Sequence, residues 1–228
     1  MGKTISLIIG LFFVGFSASA QYLSYSDYMD EVADLANKSQ IELDSSYKIA
    51  QTNVSDACVV FLTKEMFLGD SGRNIFDALK KNKELFPQLI KGGNLPKYCS
   101  KYPQMNTDQK AMVWVMVLTM MAHFESSCNM KAKAKGPNGT AKGYYQLHQG
   151  KEQNYDELGL CQKNASNNDK LSAKCALSML ERQLDKEDGN LFSKKSYWDV
   201  LRPNGAARKA DDIQRTLKKS TLCNPSTT

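Results

Sequence analysis

The chain has 228 residues, 42% of them hydrophobic and 24% charged, with a formal net charge of +6. That length makes one large domain or two small ones, and 14 Gly and 6 Pro spread along it exclude collagen-like repeats and wholesale disorder. Lys and Arg alternate with Asp and Glu along most of the chain, and no RNP-like aromatic motif or zinc-finger spacing is present, so no nucleic-acid partner is expected.

Residues 1–20 read as an export signal. Lys3 precedes an apolar run over residues 5–16, and Ala18-Ser19-Ala20 supplies a small-residue cleavage site. The run is shorter than the ~20 residues a membrane-spanning helix needs, and no later stretch reaches that length. The mature protein is expected to start near Gln21, to be secreted or periplasmic, to lack a transmembrane segment and to be a monomer.

Beyond the signal, Tyr28, Val32, Leu35 and Ala36 recur at helical spacing behind Ser26, an N-cap residue. A polar stretch over 38–53 follows, then an apolar segment over 57–67 and a helix around Ile75, Phe76 and Leu79 entered through Asp70-Ser71-Gly72. Residues 85–103 hold Pro87, Gly92-Gly93, Pro96 and Pro103, a density of breakers that predicts a connector. The expected organisation is therefore a helical lobe over 21–105 and a second domain over 106–228.

The second domain opens on residues 111–122, nearly apolar all round, which predicts a centrally buried helix. Asn106 or Thr107 can cap its start, and Asp108 suits the positive end of its dipole. A Gly- and Lys-rich loop over 129–142 comes next, then Gly143-Tyr144-Tyr145-Gln146-Leu147 and an Asn-rich loop over 163–168. An amphipathic helix follows with Ala173, Ala176, Leu177, Leu180 and Leu184 on one face. After Trp198 and Pro203, a last basic helix carries Ala207, Ala210, Ile213 and Leu217. Strand patterns are scarce and repeats absent, so the fold class is mainly α.

Six cysteines behind an export signal imply up to three disulfides. Sequence permits about 15 pairings; Cys161 with Cys175, closing the Asn-rich loop, is the one expected here. No pair has CxxC spacing, and His123, His148 and Glu125 have no known ligand spacing, so neither a metal nor another cofactor is expected.

The chemistry concentrates at His123-Phe124-Glu125-Ser126-Ser127-Cys128, which sets a carboxylate at the C-terminal end of the most apolar element. Burial and the negative end of the helix dipole both disfavour its charged form. Glu125 is thus expected to hold a proton near neutral pH, as a general acid must.

Glu125-Ser126, a loop, then Ala141-Lys142-Gly143-Tyr144-Tyr145-Gln146 resembles the signature of the soluble lytic transglycosylases and goose-type lysozymes. The resemblance covers about two-fifths of the chain and implies a lysozyme-like domain in which Glu125 is the catalytic acid and Ser126 orients it. It also implies that Gln146 contacts sugar and acid in a groove and that Gly143 lets the backbone pass close beneath the substrate. Tyr144 replaces the family's usual aliphatic, Thr140 stands where Gly is frequent, and the Ala-Tyr-Asn segment is absent. Tyr197 is the residue placed to substitute for that segment, with Trp198 assigned to the core. Tyr144, Tyr145 and Tyr155 offer flat faces for sugar rings, a role that core packing rivals.

What the resemblance implies is cleavage of the β-1,4 bond of peptidoglycan glycan strands, acetylated or de-N-acetylated, giving anhydro or reducing ends. Glu152, Asp156 and Glu157 are the candidates for a second carboxylate, and their spacing selects none of them. Two other readings stay open: a wall-binding or inhibitory protein without turnover, and a chitin- or chitosan-directed hydrolase.

Overall fold

The computed structural model describes residues 54–136 and 139–224. The export signal and the helix expected around Tyr28 lie outside them. Among the described residues there are five α-helices, α1 (Asp70–Lys81), α2 (Pro87–Lys91), α3 (Thr107–Ser126), α4 (Asp169–Lys186) and α5 (Ala210–Lys219), with one small sheet and several one-turn 3₁₀ segments. The mainly α expectation holds at that level.

Helix α3 is the axis of the structure, and every residue from Ala111 to Ala122 is buried. A helix apolar on all sides has no solvent face to offer, so its neighbours must enclose it. Its start is fixed by a reciprocal capping box: the Gln109 N–H donates to the Asn106 side chain at 2.9 Å, and the Asn106 N–H donates to the Gln109 side chain at 3.1 Å. Helix α1 packs against both α3 and α4, and α5 packs against α3.

The breaker-rich stretch over 85–103 is folded into this body. Pro87, Pro96 and Pro103 each sit in the first turn of a short helical segment, Gly92 caps the end of α2, and each segment buries an anchor: Leu89, Leu95 and Tyr102 are fully enclosed. The Trp114 indole N–H of α3 reaches the Leu89 carbonyl and the Tyr102 hydroxyl at 3.0 and 2.9 Å. From α4, the Glu181 carboxylate accepts the Gln88 and Leu89 N–H groups, both at 2.8 Å, capping α2. Residues 54–105 and 106–224 accordingly fall in one compact unit.

A second departure concerns residues 129–142, expected as a loop. They carry an antiparallel hairpin, β1 (Lys133–Gly136) with β2 (Gly139–Lys142), and β2 continues the sheet to β3 (Leu147–His148). Exposed strands of Lys, Ala, Gly and Thr bury no alternating apolar face, which is the signal a strand reading depends on.

All six cysteines are paired, as Cys58–Cys128, Cys99–Cys223 and the expected Cys161–Cys175. Among the described residues no helix is long and apolar enough to cross a membrane. Three disulfides fit an extracellular or periplasmic protein.

Candidate functional site

Glu125 occupies the last turn of α3, next to the carbonyl end of the helix dipole. The chain then turns sharply, Ser127 and Cys128 both at positive φ, and the Cys58–Cys128 disulfide pins it. The side chain is half-buried against the segment after Trp198, which brings Asp199 and Arg202 into its field. Burial, seconded by the Asp199 charge and opposed by the Arg202 guanidinium, pushes the Glu125 carboxyl up to about 7 from the ordinary 4.5. The direction agrees with the sequence expectation; Asp199 and Arg202 were not foreseen, since only the fold brings them to α3.

Both newcomers are held in place. The Arg202 Nε–H donates to the Ser196 carbonyl at 2.8 Å, and its Nη1 lies 3.6 Å from Asp199 Oδ1. The other Asp199 oxygen accepts the Ala207 N–H at 2.7 Å. Trp198, buried as expected, anchors the segment by donating its indole N–H to the Tyr145 carbonyl at 2.8 Å.

The Ser126 side chain is engaged with the backbone. Its hydroxyl lies 2.9 Å from both the Ala122 and the Tyr144 carbonyls, so it ties the end of α3 to the Tyr144 segment. Gln146, at positive φ, donates its side-chain amide to the Gly143 carbonyl at 2.9 Å and lies 3.5 Å from the Ala132 carbonyl, which locks the base of the hairpin. The expected contact of Gln146 with the acid is not made. Tyr144 and Tyr145 are only 8% and 1% exposed and pack on Phe61, so the Tyr145 ring is core and Tyr144 presents at most an edge. Their apolar bodies are worth more against Phe61 than in water.

Gly143 has φ +74, and a Cβ there would sit 2.4 Å from the Ser166 carbonyl oxygen. The close approach expected beneath a substrate is made instead to the chain's own backbone. Gly143→Ala should therefore destabilise the protein by about 2–3 kcal/mol, from the left-handed strain plus the displaced carbonyl, as read by urea unfolding. An unchanged midpoint would contradict this packing.

Beside the site lies a cleft of about 440 Å³. One wall is His148, Tyr155 and Tyr197; Arg202 links it to the neighbourhood of Glu125, and the charged side chains of Arg182, Lys186, Lys195 and Glu187 are among the other residues that line the cleft. Tyr197 is held tightly: its hydroxyl donates to the Gln146 carbonyl at 3.0 Å and accepts the His148 N–H at 3.1 Å. Its ring stacks edge-on with Tyr155 at 4.7 Å and with His148 at 5.4 Å. The half-buried phenol is raised above its usual value, by burial first, and so stays neutral.

The three expected second carboxylates separate clearly. Asp156 caps a turn, accepting the Cys161 N–H at 2.5 Å and the Ser178 hydroxyl. Glu157 is paired with Arg182 at 2.8 Å. Glu152 is 1% exposed, with one oxygen accepting the Ser166 hydroxyl at 2.9 Å and the other without a hydrogen-bond partner.

No family model matches the chain, and no curated protein is a significant match. Among solved structures it resembles the Bdellovibrio protein DslA (Bd0314). Its wild-type form aligns at 22% identity and a TM-score of 0.56, over 68% of this chain and 91% of that one. Two Glu-to-Gln variants of DslA align at 22% and 20% identity, with TM-scores of 0.56 and 0.54 and the same coverage. What the two proteins share, on this likeness, is the fold.

Proposed function

We propose that the chain is an exported enzyme that cleaves the β-1,4 bond of peptidoglycan glycan strands with Glu125 as its general acid, on a lysozyme-like domain. The observation that carries this reading is a carboxyl poised near pH 7 at a helix end, next to a cleft walled by aromatic rings and polar side chains. The sequence signature around Glu125 and Gln146 supplies the substrate class.

In the proposed reaction, protonated Glu125 gives its proton to the glycosidic oxygen, the C1–O bond breaks, and positive charge develops at C1. Glu125, now a carboxylate, takes a proton back either from water, which leaves a reducing end, or from the sugar's own C6 hydroxyl, which closes a 1,6-anhydro ring. Asp199, tied to Arg202 and Ala207, is suited to tuning Glu125 rather than attacking the sugar. A one-carboxylate route, assisted by the substrate's acetamido group, follows from that.

The test is mass spectrometry of soluble fragments released from acetylated and de-N-acetylated sacculi, with soluble chito-oligosaccharides alongside. Release of disaccharide-peptides from sacculi is expected, and products lighter by one water would mark the anhydro route. Cleavage of chito-oligosaccharides alone would move the substrate to chitin, and sedimentation with sacculi without release would identify a binding protein.

A further inference from the structure

The cleft beside Glu125 is unequal in charge. Its lining carries Arg182, Lys186, Lys195 and Arg202 against one carboxylate, Glu187. That carboxylate is already committed. The Ser193 hydroxyl donates to it at 2.8 Å and the Lys195 ammonium lies 3.3 Å away, so it is held ionised and cancels Lys195. His148 adds no charge at neutral pH, because burial first and then the Lys151 charge lower its value below the usual 6.5.

Three cations remain, and they come from two elements. Met179, Arg182, Gln183 and Lys186 share one face of the last two turns of α4, at i, i+3, i+4 and i+7. Arg202 enters from the segment that Trp198 anchors. Of the three, Arg182 is taken by Glu157 at 2.8 Å. The other two are held loosely: Lys186 Nζ lies 3.7 Å from both Glu157 and Asp185, and Arg202 Nη1 lies 3.6 Å from Asp199, beyond hydrogen-bonding reach. Glu157, Asp185 and Asp199 are not among the residues that line the cleft. The Lys186 and Arg202 side chains are 56% and 40% exposed, so a ligand in the cleft can reach both.

The guanidinium is also oriented in advance. Its Nε–H on the Ser196 carbonyl at 2.8 Å and its Nη2 at 3.4 Å from the Tyr197 carbonyl fix its plane. Tyr155 and Tyr197 set flat rings beside these cations, which suits a sugar that carries an acidic substituent. A neutral chitin strand would leave Lys186 and Arg202 with nothing to bind. Arg202 further connects the cleft to the acid: burial and Asp199 push the Glu125 value up, Arg202 opposes them, and Tyr197 of the wall feels the Glu125 charge in turn.

We propose that Lys186 and Arg202 bind a carboxylate of the glycan substrate in this cleft and so select an acidic strand over a neutral one. The inference rests on the peptidoglycan reading, in which the carboxylate belongs to a peptide stem or, where the stem has been cut off, to the lactyl group of the muramyl sugar. Arg202 then serves two partners. A bound carboxylate takes up its charge, which lifts the restraint that Arg202 places on the Glu125 proton when an acidic strand is present.

The test is fluorescence anisotropy in the Glu125→Gln background, which leaves strands uncut. The ligands are stem-bearing glycan strands, strands stripped of stems by an amidase, and neutral chito-oligosaccharides of the same length. At low salt Lys186→Gln should weaken binding of a carboxylate-bearing strand about fivefold and Arg202→Gln about tenfold, with chito-oligosaccharide binding unchanged and Lys186→Arg close to the parent. Loss on stem-bearing strands assigns the contact to a stem carboxylate, and loss confined to stripped strands assigns it to the lactyl group. Equal loss on chito-oligosaccharides overturns the inference. Circular dichroism melts check folding, and the exposed Lys186 keeps the test open if Arg202→Gln does not fold. In the active protein, Arg202→Gln should raise the alkaline limb of kcat/KM, which reports the free enzyme, and leave that of kcat, which reports the complex, nearly in place. Equal shifts of both limbs would mean that Arg202 keeps its full charge beside the bound strand, and would overturn its contact with the carboxylate. If the parent binds none of the three glycans, the wall-substrate reading fails and this inference with it; strand binding that both variants leave untouched sinks the inference alone.

Discussion

Glu125→Gln should lower kcat on glycan strands by about 10³-fold while leaving strand affinity within about twofold, because glutamine keeps the shape and loses the transferable proton. The pH profile of the parent should carry the same signature. A general acid must be protonated in the free enzyme, so kcat/KM should fall about tenfold per pH unit above the Glu125 value of about 7. An exposed, unperturbed carboxylate would place that fall near pH 4.5.

Stability gives an independent reading of the same group. Folding raises the Glu125 value from 4.5 to about 7, so its protonated form suits the folded state. Its contribution is most favourable below pH 4.5 and is lost as pH rises through the window from 4.5 to 7. Above that window the ionised side chain destabilises the fold by up to about 3 kcal/mol, less whatever solvent reaches it. The Gln variant, which cannot ionise, should therefore unfold at higher urea than the parent at pH 8 and equally at pH 4. An inactive variant that is more stable only at alkaline pH would tie catalysis and burial to one carboxyl; equal stability at both pH values would sink the poised-acid assignment.

How much of this was legible beforehand depends on which interactions are local. The burial of residues 111–122 follows from composition alone, because a helix with no polar face has one place to go, and the raised Glu125 follows from its seat at the end of that helix. Cys161–Cys175 was legible because its loop is short. The roles of Ser126 and Gln146 were not: both side chains bond backbone carbonyls that the hairpin and the Tyr144 turn deliver. Tyr145 read equally well as sugar platform or core, and what decides is Phe61, distant in sequence, packed beside it. Asp199 and Arg202 carry no local signal, since their nearness to Glu125 depends on Trp198 docking on the Tyr145 carbonyl. Breakers over 85–103 misled because Pro and Gly mark turns without saying whether the turns bury anything.

Removing the Cys99–Cys223 disulfide should have the largest effect on stability of any change that spares the site. In the chain-entropy picture, a cross-link over a separation of 124 residues stabilises by about 5 kcal/mol, against about 3 for the separation of 14 at Cys161–Cys175. The whole margin of a domain is about 5–15 kcal/mol, so Cys99→Ser/Cys223→Ser should leave a protein close to its unfolding threshold at 37 °C. Its folded form should nevertheless keep its shape, because the tail is held separately. The Ser100 hydroxyl meets the Asn224 side chain at 2.7 Å, and the Asn224 amide donates to the Tyr98 and Lys218 carbonyls at 3.2 and 3.0 Å. Cys99 also precedes the turn at Tyr102, whose hydroxyl meets Trp114 of α3 rather than the last turn of that helix, which holds Glu125. Glycan cleavage measured well below the melting temperature should therefore be unchanged, while the urea midpoint drops steeply. The Cys58→Ser/Cys128→Ser protein should behave in the opposite way for activity, since Cys128 fixes the turn that follows Glu125 and its loss frees the acid's position. A loss of less than about 1 kcal/mol from Cys99→Ser/Cys223→Ser would mean that the unfolded chain already holds its ends together. Lost cleavage in that variant at low temperature would mean that the two ends of α3 are mechanically coupled.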